Sequence, residues 1–249
     1  MPRAPPRNMV IFVLSEHNSS PPNEREEEEK GKENCPSRGL LIHSCIAVNE
    51  DTLAQIKELG EPRVLVVPNG MHRADAGVWK ARFPSLKVIC PRAAAKKVAA
   101  VVPVDGFCED VLPGLGVGVL EPQGLTSSEE LVYILSPPPP HKKEEEEAEE
   151  EENEEDIPRK VYVFTDLLFN LGPEAGFIAR LLGSTGDGEI PKVTPLLLRC
   201  FVANRDIFRE WLREAIVDKA SEQDIAVVGH GNLVVGGCKA KLATAVRAI

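Results

Sequence analysis

The sequence predicts an α/β chain of the α+β type, built as two β-rich layers faced with helices. Three observations carry this reading. Short apolar runs of β type recur, at Val64-Leu65-Val66-Val67, Val161-Tyr162-Val163-Phe164 and Ile225-Ala226-Val227-Val228. The first half is rich in such runs, whereas the second half alternates them with helical stripes. Each of the three runs is followed at once by a polar segment: Pro68-Asn69-Gly70-Met71-His72, Thr165-Asp166-Leu167 and Gly229-His230-Gly231. Polar side chains at strand ends collect on one edge of a sheet, where open α/β folds build ligand sites.

The elements follow in order. Met9 to Leu14 reads as a half-buried strand, and Leu40-Leu41-Ile42 resumes strand character after a Ser/Pro/Glu-rich stretch, so the two form a hairpin with an enlarged loop. Glu50-Asp51-Thr52 caps a short helix whose stripe is Leu53, Ile56 and Leu59, and Gly60 suits its C-terminal cap. Trp79 and Phe83, four apart, mark a helix ended by Pro84. A strand over 87–90 and an Ala-rich helix over 92–100 come next. From 102 to 135 the texture turns to β, with 117–120 and 131–135 as neighbouring strands joined by a Gly/Ser/Glu turn. Without the poly-Pro and acidic stretch that follows, strands 131–135 and 161–164 meet in a hairpin. Pro173 opens a helix over 173–182, and 183–188 is a mobile surface loop. Phe208, Trp211, Leu212, Ala215 and Ile216 form an amphipathic helix capped near Asn204 or Asp206. A closing helix over 238–248 completes a single domain spanning 1–249, with disordered acidic insertions at 15–38 and 136–158.

Charge narrows the range of partners. The chain carries −10, yet Lys142 to Asp156 alone carries −9 and Glu24 to Glu33 carries −3, so the remainder is +2. With no basic stripe, nucleic acid is not an expected partner; a basic protein partner for the acidic insertion is. Six cysteines are spread without a C-x-x-C pair, which excludes zinc-ribbon spacing and points to reduced thiols. Met9 to Leu14 is short for a signal-peptide core, and no apolar run approaches a membrane span. A cytoplasmic protein without membrane contact is therefore expected. The Gly114-Leu115-Gly116-Val117-Gly118 run lacks a following helix, and no G-x-S-x-G elbow exists, so neither a dinucleotide fold nor a serine hydrolase is indicated.

Several of these segments, in this order, resemble an uncharacterised branch of the metallo-β-lactamase-like hydrolase superfamily. They are Leu40-Leu41-Ile42-His43-Ser44 with Leu59-Gly60, and Pro68-Asn69 with His72, Trp79-Lys80 and Phe83-Pro84. Thr165-Asp166-Leu167-Leu168-Phe169-Asn170 and His230-Gly231 complete the match. The resemblance implies an αββα sandwich, two β-sheets flanked by helices, with the site on one edge. It also implies a His-x-His-x-Asp-His loop, a separate His, a bridging Asp and a final His. Here Asn69, Met71, Arg73 and Ala74 stand at the four loop positions, and no histidine lies between His72 and His141. Asp166 and His230 match the family's ligand positions.

The candidates for a metal or other ligand are thus His72, Asp166, His230 and Asp75, with Arg73 as a candidate anion contact. Against each stands a plainer role: Asp166 as a helix cap, His230 satisfying a carbonyl in a turn, His72 shaping its loop with Asn69. His43, at a strand end, reads as structural. A binuclear hydrolytic site needs about six side chains and a catalytic zinc about three, so at most one divalent metal of the zinc class is expected, and ligand counting favours none. No residue is assigned a catalytic role. The sequence leaves two functions open: a non-catalytic protein that binds a small molecule or partner on this fold, and a hydrolase using at most one metal ion on an anionic substrate.

Overall fold

The computed structural model describes residues 6–14, 38–127, 129–136, 159–181 and 183–249. The two acidic insertions, apart from their end residues Arg38 and Ser136, lie outside the described residues. Two five-stranded sheets make up the centre. The first has the order β1 (Val10–Val13), β2 (Gly39–His43), β3 (Glu61–Val66), β4 (Lys87–Cys90), β5 (Gly106–Phe107). β1 and β2 pair antiparallel, as expected, while β2 to β5 run parallel. The second sheet is assembled from β6 (Val117–Leu120), β7 (Val132–Leu135), β8 (Val161–Val163), β10 (Ile225–Val227) and β12 (Val234–Val235). β6, β7 and β8 form the expected antiparallel meander, and β10 joins β8 in parallel. A two-stranded parallel ribbon pairs β9 (Phe169–Asn170) with β11 (His230–Gly231).

The strands are apolar on both faces because both faces are covered. Along β2 and β3, Leu40, Ile42, Leu65 and Val67 pack outward, while Leu41, Val64 and Val66 pack between the sheets. β8 and β10 repeat the alternation, with Tyr162, Phe164, Ala226 and Val228 outward and Val163 and Val227 inward. This period of two is what a strand imposes on side-chain direction. The outer face of the first sheet is closed by α1 (Glu50–Leu59), α2 (Ala76–Arg82) and α3 (Ala95–Ala99) through Leu53, Ile56, Trp79 and Val98. A short α4 (Cys108–Val111) adds Cys108 and, just beyond it, Leu112 to the layer between the sheets. Beyond α5 (Phe177–Leu181) and α6 (Pro195–Cys200), the second sheet is closed by α7 (Arg205–Ala215) and α8 (Cys238–Arg247) through Phe208, Trp211, Leu212, Leu242 and Val246. The result is four layers, helix on sheet on sheet on helix, the arrangement expected.

Local differences have local causes. Asn49, not Glu50 to Thr52, caps α1, its side chain accepting the Thr52 N–H at 2.9 Å. The helix expected over 173–182 is broken at Gly176, where φ is +93°, into one 3₁₀ turn and α5. The 183–188 loop is anchored: Ser184 is buried, and the Gly186 N–H donates to the Leu171 carbonyl.

Candidate metal centre

Three strand ends deliver the centre. After β3 the chain passes Pro68 and curls at Asn69, whose Oδ1 accepts the N–H groups of Met71 and His72, both at 2.9 Å. That turn sends the His72 ring back across the sheet edge. Asp166 leaves β8 and His230 leaves β10, two parallel neighbours whose register is Val163 to Val227. The Gly229 N–H continues that pairing by donating to the Thr165 carbonyl at 3.0 Å, and a Cβ at Gly229 would stand 2.7 Å from the same oxygen. Gly231 has φ +98° and would clash with the Asn170 carbonyl. The two glycines around His230 therefore let β10 and β11 close on the Asp166 loop.

His72, Asp166 and His230 each offer one ligand atom, all within 4.8 Å of one another. Nε2 of His72 lies 3.2 Å and Nε2 of His230 lies 3.3 Å from Asp166 Oδ1. The two imidazoles meet edge to face at 5.2 Å and are both buried, whereas the Asp166 side chain is 25% exposed, so the cluster opens to solvent on one side. Burial alone would raise the Asp166 carboxyl, but hydrogen bonds to His230 and His72 outweigh it and hold the group well below the usual carboxylate range.

The far side of each ring is fixed as well. His230 Nδ1 is 3.1 Å from the Pro6 carbonyl, which can only accept, so that nitrogen carries the proton. Phe169 packs on the same ring at 4.7 Å. His72 Nδ1 is 2.7 Å from Ser44 Oγ, on a residue at φ +56° just past β2. Each histidine thus presents Nε2 to the centre while a partner outside it sets its orientation, the usual support of a metal-binding imidazole.

Asp75 and Arg73 stand apart from this group. Asp75 makes an ion pair with Arg7 at 2.5 Å, and the metal-type cluster excludes it. Half-buried Arg73 donates through Nη1 to the Gly70 carbonyl. Asn69 does more than turn the loop: its Nδ2 donates to Asp166 Oδ2 at 2.8 Å, which occupies the carboxylate's second oxygen.

Glu130 and the 6–8 segment were not singled out from the sequence, and His43 was read there as structural. Glu130, buried two residues before β7, accepts the backbone N–H groups of Thr165, Asp166 and Leu167. Burial and then the Asp166 charge push its carboxyl up, while the three backbone N–H groups it accepts pull it back toward the carboxylate. The segment Pro6-Arg7-Asn8 straps the edge: the Asn8 N–H donates to the Gly229 carbonyl, and Nδ2 donates to the carbonyls of Val228 and Gly231. His43 faces inward, edge-on to the Tyr133 ring at 5.1 Å, with both ring nitrogens buried and without a partner among the described residues. Only the polarity of Glu130 and Asn8 could have drawn attention to them, since each acts on a segment distant in sequence.

Two imidazole nitrogens and one carboxylate oxygen, with solvent on the remaining side, form a donor set that fits one zinc-class ion. No helix among the described residues is long and apolar enough to cross a membrane. Comparison with known protein families gives no match, and no curated protein matches the chain. Solved structures do align with it. A metallo-β-lactamase from Pontibacter korlensis shares 14% identity over 85% of this chain and 83% of its own, with a TM-score of 0.48. The DIM-1 metallo-β-lactamase shares 13% identity over 84% of this chain and 82% of its own, with a TM-score of 0.48. The same enzyme exposed to ceftazidime shares 14% identity over 86% and 82%, with a TM-score of 0.47.

Proposed function

We propose that the chain is a metal-dependent hydrolase of the metallo-β-lactamase type that works with a single divalent ion, held by His72 Nε2, His230 Nε2 and Asp166 Oδ1. One observation carries the reading. With Nδ1 donating to the Pro6 carbonyl, His230 Nε2 faces the Asp166 carboxylate at 3.3 Å, a gap that a second ring proton closes as the hydrogen bond described above and that a metal ion would fill in its place. Two electron pairs at that distance repel unless a cation, a metal ion or an added proton, stands at their side. The Nε2 atoms of the two rings and one carboxylate oxygen, open on one face, match the pattern of about three protein ligands with a free position.

A bound ion would supply Lewis acidity toward water or a substrate oxygen. The chain's own residues do the rest. Ser44 and Pro6 orient the two rings, and Asn69 holds Asp166 so that one oxygen faces the histidines. Arg73, half-buried with Nη1 turned to the Gly70 carbonyl, is the candidate contact for an anionic substrate on the loop after His72. A second ion finds no support: the outer Asp166 oxygen is hydrogen-bonded to Asn69, and Asp75 is paired with Arg7.

A second reading, a non-catalytic binding protein on this fold, draws on the loop itself, where Asn69, Met71, Arg73 and Ala74 replace expected ligands. Metal content separates the two. Protein purified after zinc-supplemented expression should carry about one equivalent, and His230→Ala or Asp166→Asn should lose most of it. Less than about a tenth of an equivalent in the wild type would end the metal reading. One equivalent without chelator-sensitive turnover on a panel of anionic esters, thioesters and phosphodiesters would favour the binding protein.

A further inference from the structure

We infer that Glu130 is the positioning residue of the centre, its carboxylate filling a nest of three consecutive backbone N–H groups and fixing the Asp166 loop against the Asn69 loop. The inference rests on the metal reading above and extends it to a third segment of the chain.

The Thr165-Asp166-Leu167 turn leaves the sheet just where its amides lose strand partners. Glu130 Oε1 accepts the Thr165 N–H at 2.8 Å and the Leu167 N–H at 3.1 Å. Oε2 accepts the Asp166 N–H at 2.8 Å and faces Asn69 Nδ2 at 3.5 Å. That same Nδ2 donates to Asp166 Oδ2 at 2.8 Å, so one amide group bridges the two carboxylates. Consecutive N–H groups converging on one point form an anion site, and here the fold supplies the anion from its own chain at a position 7% exposed. Three buried donors need three acceptor lone pairs, which a carboxylate has. A glutamine would offer one oxygen and turn an NH₂ toward at least one of the N–H groups, leaving it unsatisfied. Because the nest is filled from within, these amides are also closed to a substrate oxyanion.

The test uses the full chain with Glu130→Gln and Glu130→Asp. In metal-free protein, hydrogen exchange at the Thr165, Asp166 and Leu167 amides is compared with exchange in β3 and β4. We expect a rise of at least about tenfold at the three amides in Glu130→Gln, partly reversed in Glu130→Asp, and little change in the reference strands. Cobalt(II) titration then reads the centre: Glu130→Gln should bind about 10–100-fold more weakly than the wild type, with a shifted visible d–d spectrum. Unchanged exchange overturns the inference whatever the cobalt result, and raised exchange with wild-type affinity and spectrum overturns it too. A wild-type chain that binds no cobalt overturns the metal reading instead, and exchange alone then decides whether Glu130 holds the Asp166 loop. Should neither variant fold, couplings across the hydrogen bonds between the Glu130 carboxyl carbon and the three amide nitrogens in the wild type decide: their presence supports the inference and their absence overturns it.

Discussion

Single residues carry most of the chemistry, and His43 shows how burial sets their behaviour. Its ring is enclosed between the sheets with no partner for either nitrogen among the described residues. Burial first, and then the nearby His72, push its pKa down to about 3. The sign follows directly. Below its ordinary value of 6.5 the unfolded chain takes up a proton that the folded chain refuses. Stability is therefore full above that value and falls as pH drops from 6.5 toward 3, by about 1.4 kcal/mol per unit at most. Urea unfolding at pH 7 and pH 4 should show His43→Leu losing less stability on acidification than the wild type, by about 2 kcal/mol or more. Equal losses would mean that the ring titrates normally. The strand-end rule made His72, Asp166 and His230 legible in sequence, because an apolar run announces where each side chain emerges. Asp75 was equally visible, but its pairing with Arg7, 68 residues away, was not. Glu130 reads in sequence as one more residue of a polar turn, and only the folded chain shows three amides aimed at it.

At the scale of elements, the strap formed by Pro6 to Asn8 organises the centre as much as any strand does. Asn8 ties down the backbone on both sides of His230, at the Val228 carbonyl (2.8 Å) and the Gly231 carbonyl (2.7 Å). Asn8→Ala should cost about 1–3 kcal/mol of stability, and weaken metal retention about tenfold by freeing the His230 ring. Thermal unfolding and competitive chelation measure the two effects; undiminished retention would remove the strap from the account. Elements with a full period were legible beforehand. The stripe of Phe208, Trp211 and Leu212 announced α7, and Asn204 caps it through Oδ1 as expected. β5, β9, β11 and β12 went unread because two residues carry no periodicity. α6 was hidden by its triple-leucine run, in which no polar face marks a helix.

Over the whole molecule, two sheets share one apolar layer, and their C-terminal edges bring the loops after β3, β8 and β10 together. Residues 72, 166 and 230 are far apart in sequence, so their convergence depends on the parallel pairing of β8 with β10 and on the buried cluster that Val66, Ile89, Val163 and Val227 share. That dependence explains why the four-layer arrangement could be anticipated from alternating apolar runs, whereas ligand distances could not. It also separates fold from activity: the layers need only apolar strands, and the centre needs three side chains, their outer partners and Glu130. The most direct measurement is anomalous diffraction at the zinc edge from crystals grown with zinc. The account predicts one peak, roughly 2.0–2.2 Å from His72 Nε2, His230 Nε2 and an oxygen of Asp166. No peak at these side chains, or two peaks between them, would contradict it.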